Sequence, residues 1–285
     1  MLYTDVEDGV LNTLVHLYDS PYRCFTFPDY KPAPTLEEYS YYICLLVSYQ
    51  TPFNGSEEIP KSRVIVEAVH LRKWEIDANP VTKGGILGLP TKLLMEKVTT
   101  LSNARSMVSF EVILTLLIYG IILFPNIDNF EEINVICISL IRNPVPTLLA
   151  DTYYSIHHKM EKNGGTLTCC APLLYKWFIS HFPQSSLFKD NKKCSRWSQR
   201  TVSLTNADVT WYSRVYDDVK IIDNYGEFPN LHLLGTKGGI NYNPILARRQ
   251  LRYAMKDKPN NIILEGLFIQ EGVDSNKLKE KIVHT

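Results

Sequence analysis

An apolar run near the middle of the chain limits the possible folds more than any other feature. Residues 107–124 read MVSFEVILTLLIYGIILF, which approaches the shortest length that crosses a bilayer as a helix. The run contains Ser109, Glu111 and Thr115 and lacks basic flanking loops, which disfavours a membrane span. Helices that are apolar on every side also occupy the centres of large helical domains. We therefore predict a buried central helix here and no membrane partner.

The bulk composition indicates a globular chain without a dominant charge. Of 285 residues, 45% are hydrophobic, which is enough for a sizeable core and predicts a single domain over residues 1–285. The 30 Lys and Arg residues equal the 30 Asp and Glu residues in number, so no overall field draws the chain onto nucleic acid. Binding to a polyanion would require a local basic patch.

The cysteines indicate a reducing, intracellular compartment. They lie mostly inside apolar runs, and no two of them form a C-x-x-C pair: Cys24, Cys44, Cys137, Cys169, Cys170 and Cys194. This pattern favours buried free thiols over zinc ligands or a disulfide framework. The first eight residues carry two Asp and one Glu, where a secretory signal would carry basic residues.

Two capping boxes predict the starts of helices. Residues 35–38 read TLEE, and apolar side chains then recur at helical spacing through Leu36, Tyr39, Ile43 and Leu46. Residues 128–131 read DNFE and precede an apolar stripe that ends at Asn143 and Pro144, which predicts a second helix.

Further helices are predicted from Pro and Gly positions and from apolar spacing. One begins near Pro146 and stops at Gly164, and another runs from about Pro172 to Pro183. Weaker helical patterns cover residues 64–71, 90–101 and 208–215.

The C-terminal third changes pattern. Short apolar runs at residues 219–222, 231–234 and 262–264, separated by Gly, Pro and Asn, indicate short strands or extended segments. The predicted fold class is therefore mainly α, a compact multi-helix domain with possible short strands in its C-terminal third. The ordered core is expected over about residues 25–270.

Several groups of residues could carry chemistry but are better explained as ordinary structure. Metal-capable side chains cluster in one stretch, and carboxylates invite comparison with two-metal nucleases. The first group is His157, His158, Cys169, Cys170, His181 and Cys194; the second is Asp151, Asp217, Asp218, Asp223 and Glu227. Adjacent cysteines cannot easily face one ion, and the carboxylates do not follow predicted central strands. We assign no catalytic, cofactor-binding or metal-binding residue and expect no cofactor.

The glycine-rich stretches lack the signatures of phosphate-binding loops. Residues 83–88 and 235–239 have neither the Walker ending nor the G-x-G-x-x-G spacing, so we predict turns.

Two basic and aromatic clusters offer a possible nucleic-acid surface. Residues 192–200 and 248–253 combine cations that reach phosphates with rings that stack on bases. A solvated face with a buried Trp197 is the favoured explanation. The less favoured alternative is nucleic-acid binding through Arg248, Arg249 and Arg252.

Long strings across the chain resemble a plant-specific domain of unknown function. They are LLIYGIILFPNIDNF (116–130), NPVPTLLADTYYSIHH (143–158), CCAPLLYKWFISHFP (169–183), DVTWYSRVYDDVKIID (208–223) and LLGTKGGINYNPILARRQL (233–251). The resembled family is numerous in legume genomes, occurs in retroelement-like genes, and is distantly similar to the plant mobile domain, also called aminotransferase-like.

The resemblance implies a nuclear or transposon-derived helical domain and supplies no catalytic residues. It also implies that family members continue past the position of His284 into a basic helical region. Residues 271–285 are accordingly expected to be the start of a truncated C-terminal region.

Two hypotheses about function follow. The favoured one is a non-enzymatic, transposable-element-related protein that binds other proteins or associates with nucleic acid in the nucleus. The alternative is a transposase- or nuclease-derived enzyme that uses Asp151, Asp217 or Asp218 with a divalent metal ion.

Overall fold

The chain folds as a mainly α domain, as the sequence predicts. The structure is a computed structural model and describes residues 6–45, 81–83, 86–125, 127, 129–141, 143–162, 166–182, 197–211, 213–217, 219, 221–222, 231–242 and 244–252. Helices supply most of the regular structure in these ranges, and short antiparallel sheets join them.

The helices are α1 (Asp8–Leu17), α2 (Leu36–Tyr42), α3 (Thr91–Asn103), α4 (Met107–Ile118), α5 (Ile133–Ile141), α6 (Val145–Glu161), α7 (Ala171–Ser180), α8 (Trp197–Val202) and α9 (Pro244–Gln250). A π-helical segment, Tyr119–Leu123, continues α4. The strands are β1 (Tyr18–Asp19), β2 (Cys24–Phe25), β3 (Val81–Lys83), β4 (Ile86–Pro90), β5 (Phe130–Glu132), β6 (Leu231–Leu234) and β7 (Gly239–Tyr242). They pair antiparallel as β1–β2, β3–β4–β5 and β6–β7.

The main core surrounds α6. This helix contacts α1, α2 and the β6–β7 hairpin, and its Leu149, Tyr153 and Ile156 are fully buried. Pro146 lies in its first turn, where the missing N–H costs nothing, so the predicted start is confirmed. The predicted helix near Pro172 is also confirmed as α7, which buries Trp177 and Phe178.

A buried carboxylate, Glu38, connects the elements of this core. Thr35 and Glu38 form the predicted capping box of α2. The Oε2 of Glu38 accepts from the backbone N–H of Thr35 at 3.0 Å and from Trp177 Nε1 at 3.0 Å. Its Oε1 accepts from Gln250 Nε2 at 2.9 Å and lies 3.0 Å from His181 Nε2. One carboxylate therefore joins α2, α7 and α9.

The ionic part of this network is visible at His181. Burial acts to lower the pKa of His181, but the bond to Glu38 and the charge of Glu38 more than offset burial, so the pKa is raised. The contact with Glu38 therefore favours the charged form of His181.

The apolar run at residues 107–124 does not form a buried central helix, so that prediction is wrong. It forms α4 and the π segment, and α4 packs against α3 as a helical hairpin at the side of the domain. One face covers a smaller core, and the other is exposed. In the described ranges, no helix has both the length and the hydropathy needed to cross a membrane. An apolar sequence without periodicity cannot show which face will be covered.

The capping box predicted at residues 128–131 is also wrong. Residues Phe130–Glu132 form strand β5, which pairs with β4 in the register Leu89 with Glu131, and α5 starts only at Ile133. Asn129 precedes the strand with a φ of 56°. Pairing with a strand some forty residues earlier satisfies the backbone here and overrides the local capping signal.

The C-terminal third matches the predictions in part. Residues 231–234 form β6 as predicted, and residues 235–238 form the hairpin turn to β7, which begins at Gly239. Residues 219, 221 and 222 are not in a strand; Ile222 instead donates its N–H to the buried Glu37. The run at 262–264 and the helical pattern at 64–71 lie outside the described residues.

Two other differences concern local structure. The weak helical pattern at 208–215 gives two short 3₁₀ turns, Asn206–Asp208 and Arg214–Tyr216. Strands β1 to β5 lie outside the C-terminal third, where no strand was predicted. They are two to five residues long, which is too short for a period-2 pattern to emerge.

Replacing Glu38 by Gln should destabilise the fold by roughly 3–5 kcal/mol, because the substitution leaves the buried His181 without its anion. Urea unfolding followed by tryptophan fluorescence measures this change. The control is Glu111→Gln, an exposed carboxylate, which should change stability by less than about 0.5 kcal/mol. Equal stability of the two variants would contradict the role of Glu38.

Candidate functional site

The exposed face of the α3–α4 hairpin is the first part of the candidate site. Large apolar side chains, each at least 38% exposed, lie together on this unit: Met95, Met107, Val108, Leu114, Ile118, Ile121 and Ile122. Along α4 and the π segment, the spacing from Met107 to Leu114, Ile118 and Ile121 follows one helical stripe. We call these seven residues the apolar face.

A pocket opens beside the apolar face. Its volume is about 240 Å³, and Thr91 and Asn129 are among its polar lining residues. Exposed residues form its rim and buried residues form its floor. The rim is Met95, Ile121 and Pro125, and the floor is Gly120, Phe130 and Glu131. Met95 and Ile121 therefore belong to both the pocket and the apolar face.

Glu131 supplies a buried acidic group at the floor of the pocket. The residue is 1% exposed, and neither carboxylate oxygen has a hydrogen-bond partner in the part of the chain that the structure describes. Burial raises the pKa of Glu131 to about 8. Burial therefore favours the protonated, uncharged form of this carboxyl group.

Glu131 and Glu132 are adjacent in strand β5 but have different surroundings. Successive side chains of a strand point to opposite faces. Glu132 accepts a hydrogen bond from Asn134 at 2.9 Å. Two adjacent glutamates thus have different environments, and only Glu131 lines the pocket.

Gly120 makes room for the Glu131 carboxyl group. A Cβ atom at Gly120 would lie 1.4 Å from Oε2 of Glu131, so the carboxyl group rests directly on the glycine backbone. Gly120 belongs to the π-helical segment, where the Phe124 N–H bonds to the Tyr119 carbonyl at 2.7 Å. Insertions of this kind into α-helices are frequent at functional sites.

Gly120→Ala should destabilise the protein by roughly 1–3 kcal/mol, because the new methyl group collides with Glu131. At an ordinary helical position the same change would stabilise by about 0.5–1 kcal/mol. A double-mutant cycle with Glu131→Ala, measured by urea unfolding, isolates the contact and should give a coupling of about 1 kcal/mol or more. Additive effects of the two substitutions would contradict the close approach.

Glu131→Gln should make stability less dependent on pH. The folded-state pKa of about 8 lies above the unfolded value, so the stability linked to this carboxyl group is complete below about pH 4.5 and is lost as pH rises towards 8. Gln has no proton to lose. From pH 5 to pH 9, the free energy of unfolding of the variant should therefore gain roughly 2–4 kcal/mol relative to wild type. Parallel pH profiles would contradict the raised pKa.

The structure separates the predicted metal-capable residues. His157 lies on α6 beside Ser20 and Glu161, at 2.7 and 3.1 Å. His181 belongs to the Glu38 network, and Cys194 lies outside the described residues. Burial raises the pKa of both Cys169 and Cys170 to about 12, so they are unreactive thiols. Among the residues described, no three His, Cys, Asp or Glu side chains group as a metal site.

The other cysteines differ in exposure. Cys24 is buried, as predicted, but Cys44 is exposed, which the sequence did not predict. Cys44 has a φ of 57° and lies in the turn after α2. It is thus outside the helix that contributes buried residues to the core.

Asp151, the first predicted acidic residue, has a structural role. Its two oxygens accept from the Thr236 N–H at 2.7 Å and from the Thr236 hydroxyl at 2.9 Å. The contact holds the β6–β7 turn against α6. Burial raises the pKa of Asp151 to about 7, although the Thr236 bonds oppose this. Asp217 is exposed, and Asp218, Asp223 and Glu227 lie outside the described residues.

The predicted basic surface at residues 248–252 is interrupted by buried side chains. Arg249 and Arg252 are exposed at the end of α9 and Arg248 is half-buried, while Gln250 between them points inward and bonds to Ala33 and Glu38. Basic residues in the last turn of a helix also complement its dipole. Residues 192–196 lie outside the described residues.

Glu131 is a site residue that the sequence did not predict, because its place in the DNFE string is typical of a capping box. One signal was present. Gly120 is the single small residue within the bulky string LLIYGIILF, and an isolated Gly in such a string can mark a close approach of another group.

The comparisons with known proteins identify a domain family and give no activity. The sequence model of a family described as a domain of unknown function, DUF7745, matches residues 1–285. No curated protein and no solved structure matches the sequence. The resemblance to a domain of unknown function is thus confirmed, while plant restriction and similarity to the plant mobile domain stay predictions.

Proposed function

The chain belongs to the DUF7745 family, whose function is unknown, and we propose that it is a non-enzymatic protein-interaction domain. The observation that supports this proposal is the apolar face of the α3–α4 hairpin. Its partner is a protein segment that covers the exposed stripe from Met107 to Ile122.

The apolar face is unusual because of its concentration. Single exposed apolar side chains are normal on soluble proteins, but contiguous patches mark interaction sites. Among the residues that the structure describes, four other large apolar side chains are comparably exposed, and all lie away from the hairpin: Tyr41, Leu45, Val202 and Val215. The α3–α4 hairpin carries seven.

The charges near the apolar face are of both signs, since Lys92, Glu96 and Arg105 are exposed on the hairpin. Such a mixture favours a protein partner over a membrane surface or nucleic acid. Glu111 is exposed on α4, one turn from Met107 and from Leu114, and Glu131 lies in the adjoining pocket. Anionic lipids and phosphates attract Lys and Arg rather than carboxylates. A helical or extended protein segment can bury the apolar side chains without this conflict.

The proposal includes the cellular setting that the sequence resemblance implies. We propose a plant nuclear protein of transposable-element origin, in which this domain holds a partner protein. The observed role of Asp151 in fixing the β6–β7 turn gives no support to the alternative nuclease hypothesis.

The test is peptide selection followed by substitution of the apolar face. Peptides are selected from a phage-displayed library of helical sequences against the immobilised chain. The double substitution Leu114→Lys with Ile118→Lys should then lower the affinity for the tightest-binding peptide by about tenfold or more. Buried hot-spot residues contribute more than about 1 kcal/mol each to the binding free energy. Fluorescence anisotropy measures the affinity.

The matched control carries Val202→Lys with Val215→Lys, two exposed apolar residues on other elements. It should bind the peptide as wild type does. Equal loss in both double variants would contradict the proposal, and so would binding to anionic liposomes without any peptide binding.

A further inference from the structure

We propose that the Glu131 pocket receives the ammonium or guanidinium group of a lysine or arginine of the bound partner. This inference rests on the proposed function and specifies the chemistry of the partner. The partner is a segment with an apolar stripe and one basic side chain placed to enter the pocket.

The position of the pocket links it to the apolar face. Met95 and Ile121 line the pocket and are also exposed members of the face. A segment lying along α4 therefore passes over the pocket rim, and one of its side chains can point inward while its neighbours cover the stripe.

The floor of the pocket requires a hydrogen-bond donor. Glu131 is 1% exposed, and both of its oxygens lack partners among the described residues. Buried polar groups without partners are rare and costly, and a carboxylate binds cationic donors most strongly. A lysine or arginine from outside supplies the missing donors and the missing charge together.

The walls of the pocket suit the rest of such a side chain. Its volume of about 240 Å³ is several times the roughly 30 Å³ of one water molecule. Ile121, Ile127 and Phe130 line the pocket together with Glu131 and supply apolar surface. Lysine and arginine bury their methylene stems against such surfaces while the charged end reaches a polar partner.

A metal ion fits the pocket less well. Divalent cations require several oxygen or nitrogen ligands, and Glu131 is the one carboxylate among the described lining residues. Only a ligand that carries its own organic group would also use the apolar walls.

Gly120 fixes the position of the carboxyl group in the pocket. The glycine lets the Glu131 carboxyl group lie against the π-helical backbone, where any side chain would displace it. In this position the carboxyl group makes no hydrogen bond that stabilises the described part of the fold, and its oxygens remain available to a bound ligand.

The experiment repeats the peptide selection with the intact chain in three forms: wild type, Glu131→Gln, and Leu114→Lys with Ile118→Lys. Wild type should select peptides with an apolar stripe and one Lys or Arg at a fixed position. The Glu131→Gln form should still select peptides with an apolar stripe but should no longer prefer those that carry the basic residue. In the selected peptide, replacing the basic residue by Met should weaken binding to wild type by about tenfold or more and hardly affect binding to Glu131→Gln.

Glu111→Gln is the matched control, because it removes an exposed carboxylate of α4, beside the apolar face, and Glu111 does not line the pocket. It should retain the basic preference. Peptides with an apolar stripe and no basic preference would overturn this inference and leave the proposed function standing. Peptides that bind all three forms equally would overturn both.

A second arm distinguishes a protein side chain from a free organic cation. Butylguanidinium chloride and butylurea, its uncharged analogue of nearly the same shape, are titrated while the amide signal of Gly120 is followed by NMR. Weak, saturable binding of the cation to wild type and not to Glu131→Gln is expected. Tight binding of butylguanidinium in a chain that selects no peptide would overturn the partner assignment in favour of a small-molecule site.

Discussion

The buried carboxylate of Glu38 is the interaction on which the rest of the structure depends. It caps α2, accepts from Trp177 and Gln250, and pairs with His181, so helices far apart in sequence meet at one group. A buried carboxylate is tolerated only when donors surround it. The arrangement of α2, α7 and α9 that satisfies Glu38 fixes the main core. Helix α5 joins this core to the smaller one under the α3–α4 hairpin, because it gives Val135 and Ile138 to the first and Ile133 and Ile136 to the second.

Glu131 is the counterpart that this rule leaves unexplained within the fold. Both glutamates are about 1% exposed, but Glu38 has a complete set of donors and Glu131 has none among the described residues. Because no described donor offsets the burial of Glu131, its pKa is raised to about 8. Departures of this kind from full hydrogen bonding tend to occur at functional sites. The location beside an exposed apolar face indicates which function that is.

Local signals in the sequence predicted the elements that local interactions determine. The Thr35 box and the Pro146 helix start were confirmed, because a cap or a proline acts within one turn. Residues 130–132 were missed, because their pairing with β4 depends on a segment far away in the chain. The apolar face was missed because apolar residues occur on every side of α4, and the neighbours in the fold decide which side is covered. Glu131 was missed because its role depends on its approach to Gly120 in space.

The most direct test of the account is the ionisation of the Glu131 carboxyl group, followed by its ¹³C NMR chemical shift at neutral pH. The account predicts a mainly protonated carboxyl group in the free protein and an ionised one once a peptide with the basic residue is bound, because the cation stabilises the carboxylate. A carboxylate that is already ionised in the free protein, or a shift that does not change when such a peptide binds, would contradict it.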